Sequence, residues 1–396
     1  MPPAADDELR SGWPVVVACF ATAIFGWGFG LYGQSVLVAA LQASRGWSAF
    51  TVSSATSFYY LSGAGLIVVT PALLVRLGPR LVILGGAVVL GLGASVTANA
   101  AAPWHMFVGA LLMAAGWGCT STTAIAATLA RWFDARRGLA ISLALNGASA
   151  SGFTVAPLLV AMQLAIGIER AVPLVAAGLL VVLVPLVLWG TARPVLVVPA
   201  AKTRVAGSGG LRDVAFWQVA GPFALGLMAQ VALLVHLVAI VLPRLGPGGA
   251  GIAISLVSLT AMAGRLGLGT VIDRLDLRLV ACASFASQAA SVLLMLALPG
   301  AEWAYYAGCV GFGLSVGNVI TLPSLLIQRE FPASRFGAVV GLSTAVGQMA
   351  YAFAPALAGL VHDLAGGYGP VLALCAGLQV LAAASVLSRP PLPSPR

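Results

Sequence analysis

Charged residues are scarce in this sequence. They make up 8% of the 396 residues, against about 25% in ordinary soluble domains. Hydrophobic residues make up 60%, and apolar runs of about 20 residues, the length that crosses a bilayer as a helix, recur from one end to the other. This composition excludes a soluble globular domain. It predicts an all-α membrane protein that crosses the lipid bilayer many times.

Cysteine and histidine are also few, with five and three residues. The cysteines lie inside apolar segments without paired spacing, which is typical of packing residues. His105, His236 and His362 lie in different segments and form no metal-ligand spacing. The apolar segments hold no acid–base constellation either, so we expect no metal, no cofactor and no enzyme. His236 is the one plausible substitute proton carrier, but its place toward the outer end of a helix favours a packing or vestibule role.

The apolar runs predict twelve transmembrane helices. Short loops give little polar punctuation between some of them, so the boundaries are approximate. The predicted segments are 13–41, 50–75, 80–101, 104–130, 137–165, 170–191, 214–242, 248–272, 279–300, 303–328, 336–364 and 367–388.

The basic residues indicate the orientation in the membrane. Sixteen of the 20 Lys and Arg residues lie at the termini and in one set of alternating loops, whereas the opposite loops hold Arg45, Arg170 and Arg244. Positive loops stay in the cytoplasm, so we expect both termini to be cytoplasmic. The net charge of +9 is then a topological signal, and no nucleic-acid partner is expected. The short loops suit a plasma membrane of the bacterial inner-membrane kind.

The chain contains an internal repeat at an offset of 198 residues, half its length. Three groups of residues recur: Arg76, Leu77 and Arg80 with Arg274, Leu275 and Arg278; Arg131, Phe133 and Arg137 with Arg329, Phe331 and Arg335; and Ala156 and Pro157 with Ala354 and Pro355. Both copies start on the same side, which is the parallel-repeat arrangement of major facilitator halves. We therefore expect six-helix bundles at 1–191 and 214–396, joined by a cytoplasmic linker at 192–213.

A loop motif supports this arrangement. The segment 269–274, GTVIDR, followed by Arg278, resembles the loop motif of the major facilitator superfamily. The first copy departs from it, with Val75 in place of the acid and Pro71 in place of the glycine. The resemblance implies a conformational latch at the cytoplasmic face, formed by Asp273, Arg274, Arg76 and Arg80. The alternative is that these are solvated basic loops.

Three further motifs narrow the resemblance. The segments 32–35 (YGQS), 46–48 (GWS) and 131–140 (RWFDARRGLA) resemble the monocarboxylate transporter and oxalate/formate antiporter branch of that superfamily. The whole chain is compatible with this branch, but the motifs name no substrate.

Arg265 is the deepest charge in the sequence. It lies in the otherwise apolar stretch 248–272, where a charge costs roughly 2.5 to 3.5 kcal/mol on insertion scales and indicates function by default. Its repeat partner is Ile67, so the scaffold itself does not require a charge there. The resemblance implies that Arg265 holds the substrate's carboxylate, which a guanidinium fork matches. The alternative is a structural arginine reaching Asp273 or backbone carbonyls.

Two departures concern coupling. The resemblance implies proton symport, yet this sequence has Gln34 where related carriers have a lysine and Ala261 where they have an acid. The segment 336–364 also lacks the lysine expected of an oxalate exchanger. Coupling to a proton or a counter-anion therefore stays open, and a single arginine favours a monoanion over a dianion.

Polar residues on cavity-facing helices are the other candidates for the substrate site, although each is equally explained as an interhelical hydrogen bond. They are Tyr32, Gln34, Asn146, Gln230, Asn318, Gln348 and Tyr351.

These observations predict a secondary active or facilitative transporter that works by alternating access. The predicted substrate is a small organic anion, specifically a monocarboxylate. The alternative is an efflux transporter of hydrophobic or drug-like compounds, which the scarcity of polar cavity groups favours. A third hypothesis is a membrane-embedded sensor, which would bind its ligand without transporting it.

Overall fold

The computed structural model describes residues 5–134, 136–192, 213–332 and 335–388. In these residues the first half of the chain forms eight α-helices, with a π-helical turn at Gly28–Tyr32 and a short 3-10 turn at Ile67–Val69. The α-helices are α1 (Ala5–Trp27), α2 (Gly33–Arg45), α3 (Ala49–Leu66), α4 (Thr70–Ala98), α5 (Pro103–Thr120), α6 (Thr122–Leu129), α7 (Arg137–Ile166) and α8 (Ile168–Gly190).

The second half forms five α-helices in the described residues and a 3-10 turn at Ile272–Arg274. The α-helices are α9 (Val214–Val271), α10 (Leu277–Ala297), α11 (Glu302–Glu330), α12 (Phe336–Ala365) and α13 (Tyr368–Val386). Ten helical spans in the described residues are long and apolar enough to cross a membrane. The predicted all-α membrane fold is confirmed.

Two of these spans are far longer than one crossing. Ala49–Ala98 has 50 residues and Val214–Val271 has 58, and 58 straight helical residues would measure about 87 Å against a hydrocarbon core of about 30 Å. Each contains a glycine with positive φ, Gly78 (φ 76°) and Gly246 (φ 65°), followed by a proline. The helix ends at these glycines because glycine tolerates positive φ and proline cannot continue the bonding.

Contacts show that the chain turns back at both points. Thr70 donates a hydrogen bond to the carbonyl of Gly118 (2.9 Å), and Gly86, beyond the Gly78 turn, packs closely against the neighbouring Cys119. A straight helix would separate positions 70 and 86 by about 24 Å. In the second long span, Gln230 and Arg265 line the same cavity. The two glycines therefore divide these long spans near predicted segment ends, and the count of twelve crossings stays a prediction.

The internal repeat has a structural counterpart in two arginines. Arg80 donates to the carbonyls of Leu188 and Thr191 at the end of α8. Arg278, its repeat partner, donates to the carbonyls of Val386 and Ser388 at the end of α13. Positions 188 and 386 also differ by 198. Each half thus secures the end of its last helix in the same way.

The predicted linker 192–213 lies almost entirely outside the described residues, which omit 193–212. The domain boundaries therefore stay a prediction.

Candidate functional site: a cavity between the two halves

A cavity of about 430 Å³ lies between the two halves of the chain, and both halves line it. Its wall is mostly apolar, with leucine, valine, isoleucine, phenylalanine and tryptophan side chains. The polar and charged lining residues are Tyr32, Tyr60, Ser121, Thr122, Thr123, Ser149, Gln230, Arg265, Ser324, Ser343, Thr344, Gln348 and Tyr351.

The cavity extends toward the face of the protein at which α8 ends and α9 begins. Its lining reaches Ile327 and Val340, which lie within one turn of the end of α11 at Glu330 and the start of α12 at Phe336. In the part of the chain that the structure describes, the hydrogen bonds between the two halves lie toward the other ends of these helices. The cavity is therefore accessible from one face and closed at the opposite face.

The closed end is held by polar contacts between α3 and α12. The Asp363 carboxylate accepts hydrogen bonds from the backbone nitrogens of Ala49 (3.1 Å) and Phe50 (2.8 Å). The Ser57 hydroxyl accepts another from the backbone nitrogen of Ala356 (2.9 Å). An anionic group at a helix N-terminus is favoured by the unpaired N–H groups and the helix dipole. These bonds join the first half directly to the second.

His236 belongs to this closed end and lies outside the cavity lining. Its ring is fully buried, with Nε2 at 3.1 Å from the Pro355 carbonyl and Nδ1 at 3.1 Å from the Tyr368 hydroxyl. A carbonyl only accepts, so Nε2 carries a hydrogen. This geometry agrees with the packing role that the sequence favours for His236.

Arg265 is the one charged side chain among the described residues that line the cavity. It has no ion-pair or hydrogen-bond partner in the described part of the chain, and its Nε atom is buried without a partner. The guanidinium packs against α11 where Gly317 leaves room, because a Cβ atom there would lie 2.8 Å from Nε. No carbonyl among the described residues accepts a hydrogen bond from Arg265, and the structure does not describe the Asp273 side chain.

Repeat-related positions from the two halves line the same cavity. Tyr32 and Gln230 differ by 198, as do Ile67 and Arg265, and all four line the cavity. The cavity therefore lies at the interface of the two repeats, where transporters of this architecture bind substrate. The second half contributes the charge, and the first half contributes an apolar side chain at the equivalent place.

Gln348 and Tyr351 of α12 complete the predicted residues that the structure brings together here. Tyr351 packs edge-on against Tyr60 of α3, with ring centroids 5.4 Å apart, and the Tyr60 hydroxyl donates to the Gly30 carbonyl. The two tyrosines lie toward the closed end.

Three predicted site residues lie outside the cavity lining. Gln34 is buried against α3, where its amide accepts from Thr56 (2.9 Å) and donates to the Phe29 carbonyl (3.1 Å). Asn318 donates to the Leu314 carbonyl of its own helix, and Asn146 is half-buried on α7. The rotation of each helix about its axis decides which of its faces lines the cavity, and the sequence does not specify that rotation.

Trp27 and Trp117 are among the cavity residues that the predicted site does not include. They form an aromatic wall, with ring centroids 4.8 Å apart. The available signal was their position well inside an apolar segment, whereas an interfacial tryptophan lies at a helix end.

The predicted latch residues differ from one another in their hydrogen bonds and exposure. Arg80 bonds to the end of α8, as described above, whereas Arg76 and Arg274 are exposed and have no hydrogen-bond partner in the described part of the chain. For Asp273 the structure describes only the backbone. The latch therefore stays a prediction.

Comparisons with known proteins place this architecture in a family. The model of the Major Facilitator Superfamily matches residues 18–355. A crystal structure of a mutant of the nucleoside transporter NupG is similar, with a TM-score of 0.75 and 12% identity over 94% of this chain and 99% of that chain. At this identity the likeness shows the fold alone.

Curated relatives match over shorter segments. Monocarboxylate transporter 13 of Rattus norvegicus is 40% identical over 88 residues, which are 22% of this chain and 20% of that protein. Monocarboxylate transporter 11 of Mus musculus is 35% identical over 155 residues, 37% of this chain and 33% of that protein. The match thus spans between a fifth and a third of those relatives' length. The chain belongs to the Major Facilitator Superfamily, and it is a multi-pass membrane protein.

Proposed function

We propose that this protein carries a small organic anion with a single carboxylate across the membrane by alternating access, as a secondary active or facilitative transporter. The observation that carries the proposal is the unpaired guanidinium of Arg265 in the wall of the cavity. A buried cation without a partner is costly. An anion that enters the cavity would remove that cost.

The shape and chemistry of the cavity support a small monoanion. Its volume of about 430 Å³ lies in the range of small-molecule sites. The guanidinium offers two parallel donors to a carboxylate, and charge-assisted bonds of this kind are among the strongest in proteins. A second carboxylate would lack a second cation among the described lining residues. The similarity of one segment to proteins named monocarboxylate transporters agrees with this substrate class.

The access route follows from the closed and open ends. If basic loops are cytoplasmic, both termini and the open end of the cavity face the cytoplasm. Transport then requires the bonds of Asp363 and Ser57 to break while the other end closes. Binding of the anion neutralises Arg265, which lowers the cost of the water-excluded intermediate. We assign the protein to a plasma membrane of the bacterial inner-membrane kind.

Coupling is the part of the proposal that the cavity constrains least. The described lining contains neither a lysine nor a carboxyl group, so the groups that relay a proton in related carriers are missing there. A counter-anion that binds Arg265 on the return step needs no such group. The transport assay therefore imposes a proton gradient in one arm and a counter-anion inside the vesicles in another.

The test is uptake of labelled short monocarboxylates into proteoliposomes. The compared proteins are wild type, Arg265→Gln, Arg265→Lys and the control Arg244→Gln, whose arginine is exposed at the closed face. Loss of a charged hydrogen-bond partner costs about 1.5 to 3 kcal/mol, so Arg265→Gln is expected to lower transport at limiting substrate about 10- to 100-fold. Arg265→Lys should keep part of the activity. Arg244→Gln should keep all of it.

The apolar wall of the cavity favours a second candidate, export of hydrophobic or drug-like compounds. Phe223, Leu227 and Val316 are among its lining residues, and such compounds need few polar contacts. Under this alternative no monocarboxylate is taken up, and extrusion of a hydrophobic dye is unchanged by Arg265→Gln. That combination of results overturns the anion proposal.

A further inference from the structure

Three buried glutamines from three helices form a hydrogen-bonded chain that ends at the cavity. Gln379 of α13 donates to Gln288 of α10 (2.6 Å), and Gln288 donates to Gln230 of α9 (2.9 Å). Gln288 and Gln379 are fully buried, and Gln230 is 2% exposed. Gln230 lines the cavity, whereas the other two do not.

One backbone carbonyl decides which glutamine group is the donor and which is the acceptor in each of these hydrogen bonds. The Gln379 amide nitrogen lies 3.2 Å from the oxygen of Gly226, and a carbonyl oxygen can only accept. Gln379 must therefore turn its NH₂ group inward, and Gln288 must accept with its oxygen. Gln288 then has only its own NH₂ group to offer to the oxygen of Gln230. The Gly226 carbonyl thus fixes the amide orientation of Gln379, and through it the orientations of Gln288 and Gln230.

The consequence at the cavity is a donor of fixed direction. The Gln230 oxygen is occupied by Gln288, so the group left over is its NH₂. The Gln230 amide nitrogen has no hydrogen-bond partner in the described part of the protein, and Gln230 lines the same cavity as Arg265. A ligand that enters the cavity thus meets a hydrogen-bond donor here.

The duplicated scaffold does not require these amides. At the offset of 198 residues, Gln288 corresponds to Leu90, and Gln379 corresponds to Val181. Leu90 is itself fully buried, so an apolar side chain fills the equivalent place in the first half. This series of glutamine hydrogen bonds also leaves the Gln379 oxygen buried without a partner. A buried, unpaired polar atom destabilises the fold, and an apolar side chain would avoid that cost. Packing alone therefore does not account for the three glutamines.

We propose that Gln288 and Gln379 are positioning residues, which hold Gln230 as a hydrogen-bond donor toward an acceptor atom of the transported anion. The inference rests on the proposed function and adds a rule of selectivity to it. Arg265 binds the carboxylate, and the Gln230 donor favours anions that carry a second acceptor, such as a carbonyl oxygen, over anions with a methylene group in that place. It also disfavours an ammonium group, which can only donate.

The test measures binding of pentanoate and of its 2-, 3- and 4-oxo derivatives to the purified full-length chain in detergent, by calorimetry. We expect at least one oxo derivative to bind wild type about tenfold more tightly than pentanoate, the worth of one hydrogen bond. Gln230→Leu should reduce that ratio to about one. Gln288→Leu and Gln379→Val should reduce it at least threefold while changing pentanoate affinity less than twofold.

The variants are chosen so that the fold survives. Gln288→Leu and Gln379→Val introduce the residues that the first half has at the same positions, and a melting curve of each variant precedes the binding assay. Gln218→Leu is the matched control, because Gln218 lies on α9 outside the cavity lining. It should leave the ratio unchanged.

The failure of this inference is distinguishable from the failure of the proposed function. If pentanoate binds in an Arg265-dependent way but no oxo derivative is preferred, or if Gln288→Leu and Gln379→Val keep the full ratio, the positioning role is wrong and the anion site stands. If neither pentanoate nor its oxo derivatives bind to wild type, both proposals fall together.

Discussion

The Asp363 carboxylate of α12 accepts a 2.8 Å hydrogen bond from the backbone nitrogen of Phe50, in the first turn of α3. The two residues belong to different halves of the chain, and α3 itself has Ser48 as its N-cap residue. The carboxylate therefore acts as a second, external cap supplied by the other half. This bond exists only while the halves are close at this face.

Replacement of Asp363 by alanine is expected to open this face. Loss of a capping group costs about 0.5 to 2 kcal/mol, so the ratio of closed to open molecules should fall by about 2- to 30-fold. Pulsed EPR distances between spin labels at the exposed positions Ala43 and Leu364, in a background without the native cysteines, report that ratio. Glu169→Gln is the control, because Glu169 pairs with Arg45 within the first half. An unchanged distance distribution in Asp363→Ala would contradict the capping role.

Arg278 and its repeat partner Arg80 should differ in their effect on stability. Arg278 makes two 2.7 Å bonds to the Glu330 carboxylate, and its side chain is only 4% exposed. Removal of one partner from a buried pair costs about 3 to 5 kcal/mol. Arg80 bonds to Thr191 and neighbouring carbonyls and is exposed at the surface.

We therefore expect Arg278→Gln to lower the melting temperature in detergent much more than Arg80→Gln. The double variant Arg278→Met with Glu330→Leu should recover part of the loss, because it leaves no unpaired carboxylate. Equal melting temperatures for the two single arginine variants would show that the Glu330 pair contributes little.

Gly317 sets the position of the Arg265 guanidinium. A methyl group at this position would lie 2.8 Å from Nε and 3.0 Å from the Ala261 carbonyl, closer than atoms normally approach. Because an arginine side chain is flexible, Gly317→Ala should displace the guanidinium without unfolding the protein. We expect carboxylate affinity to fall by about tenfold, the worth of roughly one hydrogen bond. Gly267→Ala is the control, since nothing lies within 4 Å of that Cβ position, and it should bind as wild type does.

His236 should matter for stability and not for substrate affinity. His236→Phe removes the bonds to the Pro355 carbonyl and the Tyr368 hydroxyl, at a cost of about 1 to 2 kcal/mol. The melting temperature should fall by several degrees while pentanoate affinity stays constant. A variant with an unchanged melting curve but no proton-dependent transport would instead identify His236 as a proton carrier.

The fold was largely predictable from the sequence because the bilayer restricts the choices. A chain with 8% charged residues and repeated 20-residue apolar runs can satisfy its backbone in lipid only as helices or a closed barrel. The duplicated basic residues then predicted two halves. The turns at Gly78 and Gly246 also agree with the predicted segment ends at 75–80 and 242–248.

The cavity residues were predictable only in part. Arg265 stood out because a charge in an apolar helix is rare, and Tyr32, Gln230, Gln348 and Tyr351 do line the cavity. Gln34 and Asn318 had the same polarity and the same mid-helix placement in the sequence. They point elsewhere because each helix rotates to pack against its own neighbours.

By itself, the sequence determined that this protein is a helical membrane protein with an internal repeat and one deep cation, since hydropathy, charge placement and the 198-residue repeat can all be read along the chain. Only the tertiary structure decided which end of the cavity is closed and which glutamine faces it. Those features depend on contacts between residues about 60 to more than 300 positions apart, such as Gln230 with Gln288 and Phe50 with Asp363, and no local pattern encodes the rotation of one helix against another.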